Sequence, residues 1–226
     1  MREKWILGLG TAGTLMMVWV FYAVFMKLPD EALQGAIYRI IFIHVPAAIT
    51  AYMLYSVAVI ASIGFLVKKN FAWDSLAVSC VEVAQVFTLV NLVTGSIWGR
   101  IIWGIWWTWD LRLTTQLMCF VLYLGYLLLR PAVAEATQRA TMSAVIAIFA
   151  FADIPLVVMA IRFKNVRTQH PQPVLETGGL DPSMWPPLLV SFAALMLIGA
   201  ALLLIRLHQE SCRREIDSIR RELHAY

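Results

Sequence analysis

Six stretches of this chain stay apolar for about the 20 residues that a helix needs to cross a bilayer, and no other feature of the sequence constrains its fold as strongly. They run over 5–26, 46–67, 75–97, 113–129, 142–161 and 188–205. In hydrocarbon every backbone polar group must be satisfied within the protein, so the stretches are expected as helices. Composition agrees: 61% of the 226 residues are hydrophobic and 14% charged, against about 45–50% and about 25% in a soluble domain. That balance excludes a soluble enzyme and a disordered chain. The expected fold is all-α integral membrane, a six-transmembrane-helix bundle forming one polytopic domain over 1–226. A Trp-rich interfacial segment joins helices three and four, and a charged tail, read as a short solvated helix, covers 206–226. Arg2 and Lys4 precede the first stretch as in a signal peptide. A signal h-region has only about 7–15 apolar residues, so this stretch is read as a retained span.

Six spans put both termini on one side of the membrane. That side carries 11 Lys and Arg and the other 7, which places the termini in the cytoplasm. The tail decides this, because without its five arginines the count is 6 against 7. The net charge of +4 therefore reports orientation. No basic run is interleaved with aromatics, so no nucleic-acid partner is expected. Cys80, Cys119 and Cys212 form no C-x-x-C pair, which removes covalent c-type haem attachment, a thioredoxin-like site and a zinc cluster. Two acids, Glu82 and Asp153, fall inside spans, where ionisable groups are costly and functional by default. Pro155 follows Asp153 closely and suggests a kink.

Five of the nine tryptophans, Trp98, Trp103, Trp106, Trp107 and Trp109, fall in one connection, with Arg100, Gly104, Asp110 and Arg112 among them. An aromatic belt would spread them over several helix ends. If the segment is helical, Trp103 and Trp107 share one face and Trp106 and Trp109 another, making a platform along the membrane surface. A flat aromatic macrocycle with anionic edges would stack on such indoles and pair with the arginines. An interfacial anchor without a ligand uses the same chemistry. His44 and His170 face the same compartment as the tryptophans by parity, whereas His208 and His224 lie in the tail. Imidazoles are axial ligands of haem iron, and a pair on opposite faces of the ring would make it six-coordinate.

The stretches YRIIFIHVPAA, LVTGSIWGR, WGIWWTWD, WDLRLT and LDPSM resemble the CcmC family of cytochrome c maturation, haem exporter or haem lyase subunits within the WWD-domain haem-handling superfamily. The resemblance implies that His44 and His170 are axial ligands of a non-covalent haem b, which is transferred onward. It also implies that Trp103, Gly104, Trp107, Trp109 and Asp110 contact haem, within a WWD segment over 98–112. Arg100 and Arg112 are added as partners of the haem propionates. It implies delivery of haem to the chaperone CcmE, and a complex with the ABC transporter subunits CcmA and CcmB and the small subunit CcmD. The expected location is the bacterial inner membrane, multi-pass, in contact with lipid. A transfer factor fits better than a conventional enzyme, since no G-x-x-x-x-G-K-[ST] loop is present to hydrolyse ATP. The alternatives are a permease subunit that exports haem or another solute through its bundle, and a structural subunit anchored by its tryptophans. A permease would line a path with polar groups, whereas these spans offer only Glu82, Gln85, Asn91, Asp153 and scattered Ser and Thr.

Overall fold

A computed structural model describes residues 2–162, 168–171 and 180–223. Lys164 and Arg167, which belong to the charge count, and His224 of the tail lie outside the described residues. The helices are α1 (Arg2–Met26), α2 (Ile41–Lys68), α3 (Phe71–Ile102), α4 (Leu111–Ala132), α5 (Ala136–Phe151), α6 (Asp153–Met159) and α7 (Trp185–Leu223). Short 3-10 turns over Ala36–Ile40 and Pro182–Met184 lead into α2 and α7. With those turns, and with α5 and α6 counted as one broken rod, six helical segments are long and apolar enough to cross a membrane.

Two helix boundaries depart from the sequence expectation, and one expected kink is present. Helix α2 begins at Ile41, so Pro46 lies inside it and not in its first turn. Proline has no N–H to offer the carbonyl four residues back. That carbonyl belongs to Phe42, and it accepts instead from the buried Ser191 hydroxyl of α7. The kink expected from Pro155 is present as a break at Ala152, where the proline deprives the Phe151 carbonyl of its partner. The tail is no separate helix, because α7 continues unbroken from the last span through to Leu223.

The core is aromatic and polar at its centre. Tyr55 of α2 stacks on Tyr123 of α4 with ring centroids 3.8 Å apart. The Tyr55 hydroxyl donates to Gln85 Oε1 of α3 at 2.8 Å, and Gln85 Nε2 donates to the Phe120 carbonyl of α4 at 3.0 Å. A buried amide that satisfies both neighbours costs little and fixes the register of three helices. At the end of the bundle that holds the termini, Asp74 accepts from Arg130 at 2.7 and 2.9 Å and from Arg214 at 2.6 Å. Glu82 pairs with Arg206, which ties the tail back to α3. Asp153 has both carboxylate oxygens buried without a hydrogen-bond partner.

Candidate functional site

The connections at the other end of the bundle meet through side chains. Trp98 Nε1 donates to Gln34 Oε1 of the first connection at 2.8 Å. Asp110 of the third accepts from Thr168 and Gln169 of the fifth. The Trp-rich segment between them is not a helix. Residues 98–102 finish α3, 103–110 are a turn and extended loop, and α4 starts at Leu111. Gly104 explains the break, because its φ of +77° lies where a Cβ is strained. Arg100 donates to the Gly104 carbonyl and closes the turn. The indoles therefore pair differently from the helical expectation. Trp98 meets Trp103 edge-on with centroids 5.0 Å apart, and Trp107 meets Trp109 edge-on at 6.0 Å.

Trp106, Trp107 and Trp109 form one wall of a groove. Trp106 is 60% and Trp109 76% exposed, so this aromatic surface lies outside the helical core. With Trp107, Leu92, Ser96 and Leu117 they line a shallow, widely open apolar depression of about 500 Å³. Trp107 Nε1 is buried without a hydrogen-bond partner. A tryptophan N–H of that kind ordinarily finds an acceptor.

His44 stands on α2 against the neighbouring face of α3. A Cβ at Gly95 would lie 3.0 Å from His44 Cε1, so only glycine lets the ring approach the helix this closely. The Thr94 hydroxyl donates to the Val90 carbonyl at 2.7 Å, which leaves its oxygen to accept from His44 Nδ1–H at 2.9 Å. The Asn91 amide donates to the His44 carbonyl at 3.1 Å and stands 3.2 Å from His44 Nε2. His170 is oriented by a parallel device. Its Nδ1–H donates to the Pro171 carbonyl at 2.8 Å. Burial, and secondarily the charge of Arg112, push its pKa down to about 4, partly offset by the Pro171 bond and Asp110. The ring is therefore neutral near pH 7, with its Nε2 lone pair unprotonated. A histidine that ligates a metal uses such a bond at its second nitrogen to fix tautomer and orientation.

The structure brings His44, His170 and Arg112 within electrostatic reach of one another. Arg112 is anchored to the Val157 carbonyl of α6. Asp110 caps α4 by accepting from the Leu113 N–H at 2.9 Å. Trp107 and Trp109 line the groove, whereas Trp103 packs on Trp98, and Gly104 and Arg100 form the turn between. Neither histidine is itself among the residues that line the groove. Sequence reasoning missed Thr94, Gly95 and Thr168. The one available signal was Asn91, an amide in an otherwise apolar span.

The chain is similar over nearly its whole length to a known family. A family model described as Heme exporter protein C matches residues 1–222. Among curated proteins, the Heme exporter protein C of Bradyrhizobium diazoefficiens is 37% identical over 193 residues, covering 84% of this chain and 73% of that protein. That of Paracoccus denitrificans is 32% identical over 226 residues, 95% of this chain and 88% of its own length. That of Escherichia coli is 35% identical over 181 residues, covering 79% and 72%.

Proposed function

The chain belongs to the heme exporter protein C family, and from that premise we propose that it holds haem b between His44 and His170 and delivers it to the chaperone CcmE. Membership makes it a haem-handling, multi-pass membrane protein of cytochrome c biogenesis. In the finer reading it lies in the bacterial inner membrane with both termini cytoplasmic, and the site faces the periplasm. CcmA and CcmB, with CcmD, are its partners in an ABC-type complex and supply the ATP chemistry that this sequence lacks.

One observation carries this reading. Two histidines, one on α2 and one in the fifth connection, lie within electrostatic reach of each other, each with Nδ1 engaged by the protein, at the end of the bundle that carries an indole-lined apolar groove. Haem is the cargo, and its iron offers two axial positions that neutral imidazoles fill. His170 presents Nε2 without a proton. His44 presents Nε2 once the Asn91 amide turns away, and Asn91 keeps the His44 carbonyl as its other acceptor. The groove supplies apolar contact for a macrocycle, and the unpartnered Trp107 N–H supplies a donor at its wall. Arg112, close to both histidines, is the better placed partner for a propionate, while Arg100 holds the shape of the loop at Gly104. Trp103, Gly104, Trp109 and Asp110 complete the haem-contacting segment. Nothing in this arrangement bonds covalently to the cargo, which suits a protein that must release it.

The detergent-purified chain should carry non-covalent, low-spin, six-coordinate haem and should co-purify with haem-loaded CcmE. A periplasm-active reporter joined at residue 171 should be active; a cytoplasm-active one at that point would reverse the orientation. Haem that stays on the chain when CcmE is present would remove the delivery step.

A further inference from the structure

Among the described residues, one carboxylate joins the WWD segment to the loop that carries His170. Asp110 Oδ1 accepts from the Leu113 N–H at 2.9 Å and so begins α4. Its Oδ2 accepts from the Thr168 hydroxyl at 3.0 Å, the Gln169 N–H at 3.2 Å and the Thr108 hydroxyl at 3.3 Å. The Thr168 oxygen in turn accepts from the His170 N–H at 3.1 Å. Among the described residues, every hydrogen bond that ties 168–170 to another element ends on Asp110. One oxygen thus serves the helix, and the other serves the loop that carries His170. The anchor is electrostatically strong, because hydrogen bonds to an ionised acceptor are roughly twice as strong as neutral ones.

We propose that Asp110 is the positioning residue for His170: its carboxylate sets the loop so that the imidazole reaches the iron, and it need not touch the haem itself. This rests on the reading that His44 and His170 are the axial ligands. It replaces, for Asp110, the haem contact that the family resemblance implies.

Asn at position 110 keeps an oxygen for the Leu113 N–H, and asparagine caps helices about as well as aspartate. Its amide nitrogen would then face the Gln169 N–H, donor against donor. Asp110→Asn should therefore leave α4 in place and loosen the loop. Thr168→Val removes the relay hydroxyl, and Thr168→Ser keeps it.

The test uses the full-length chain in detergent, titrated with haemin and followed by absorption and electron paramagnetic resonance. Wild type and Thr168→Ser should be low-spin and six-coordinate. Asp110→Asn should show a substantial high-spin component and about tenfold weaker haem retention, in the range typical of lost outer-shell partners; Thr168→Val should shift in the same direction. Added imidazole should restore the low-spin spectrum both in Asp110→Asn and in His170→Ala. The double variant Asp110→Asn, His170→Ala should retain haem no worse than His170→Ala alone, since residues acting through one another are not additive.

A wild-type spectrum in Asp110→Asn, beside a changed one in His170→Ala, overturns this inference and spares the ligand reading. A further tenfold loss in the double variant also overturns it, because Asp110 would then touch haem directly. An unchanged His170→Ala spectrum overturns both.

Discussion

The two ends of the bundle are held together by different chemistry. At the end with the termini, paired ions do the work: Asp74 grips Arg130 and Arg214, Glu210 pairs with Arg214, and Glu82 pairs with Arg206. At the other end one ion pair, Arg39 with Asp30, holds the first connection, and the remaining joints are mostly hydrogen bonds with a neutral partner, Trp98 to Gln34, His44 to Thr94, Asn91 to the His44 carbonyl, and Arg112 to Val157. Asp110 is the anion that ties the aromatic loop to the histidine loop there. The contrast separates stability from function. Salt links fasten the tail to the bundle, while the other end keeps His170 neutral and the Trp107 N–H unpartnered, ready for a ligand.

Breaking the ionic end should therefore cost stability without changing iron coordination. Asp74 is only 4% exposed, so Asp74→Ala leaves Arg130 without its carboxylate and Arg214 with Glu210 alone; loss of one partner from a buried pair costs about 3–5 kcal/mol. Thermal unfolding in detergent should show a large drop, with the spectrum of the folded, haem-loaded fraction unchanged. A coordination change in that fraction would mean that the two ends are coupled.

At the other end the expected cost is in affinity. Asn91→Ala removes the amide beside His44 and should alter haem retention by about tenfold, with the unfolding midpoint nearly constant. The smallest effect is expected from the half-exposed link between tail and α3. Arg206→Gln should change stability by no more than about 1 kcal/mol, as solvent-screened pairs do. A larger shift would mark this link as part of the buried ionic network.

The same contrast explains what could be read from the sequence. Spans are written in local hydropathy, so six apolar stretches mapped onto six helical segments. Helix starts depend on more distant partners: Ser191 makes Pro46 tolerable inside α2 from another helix, about 150 positions away in sequence. The histidines and tryptophans stood out by type and by the side of the membrane that parity gave them. Their geometry did not, because one positive φ at Gly104 turns an expected helical platform into a loop. Asp110 carries no sign in the sequence that it would grip Thr168, 58 positions on. The closeness of His44 to α3 depends on an absent side chain at Gly95, which no pattern of apolar residues reveals.

The central claim is that His44 and His170 together hold the iron. The direct measurement is the absorption spectrum of the detergent-purified, haem-loaded chain beside that of the His44→Ala, His170→Ala double variant. The account predicts a low-spin six-coordinate spectrum in the first and its loss, with most of the bound haem, in the second. Equal haem content and an unchanged low-spin spectrum in the double variant would contradict it.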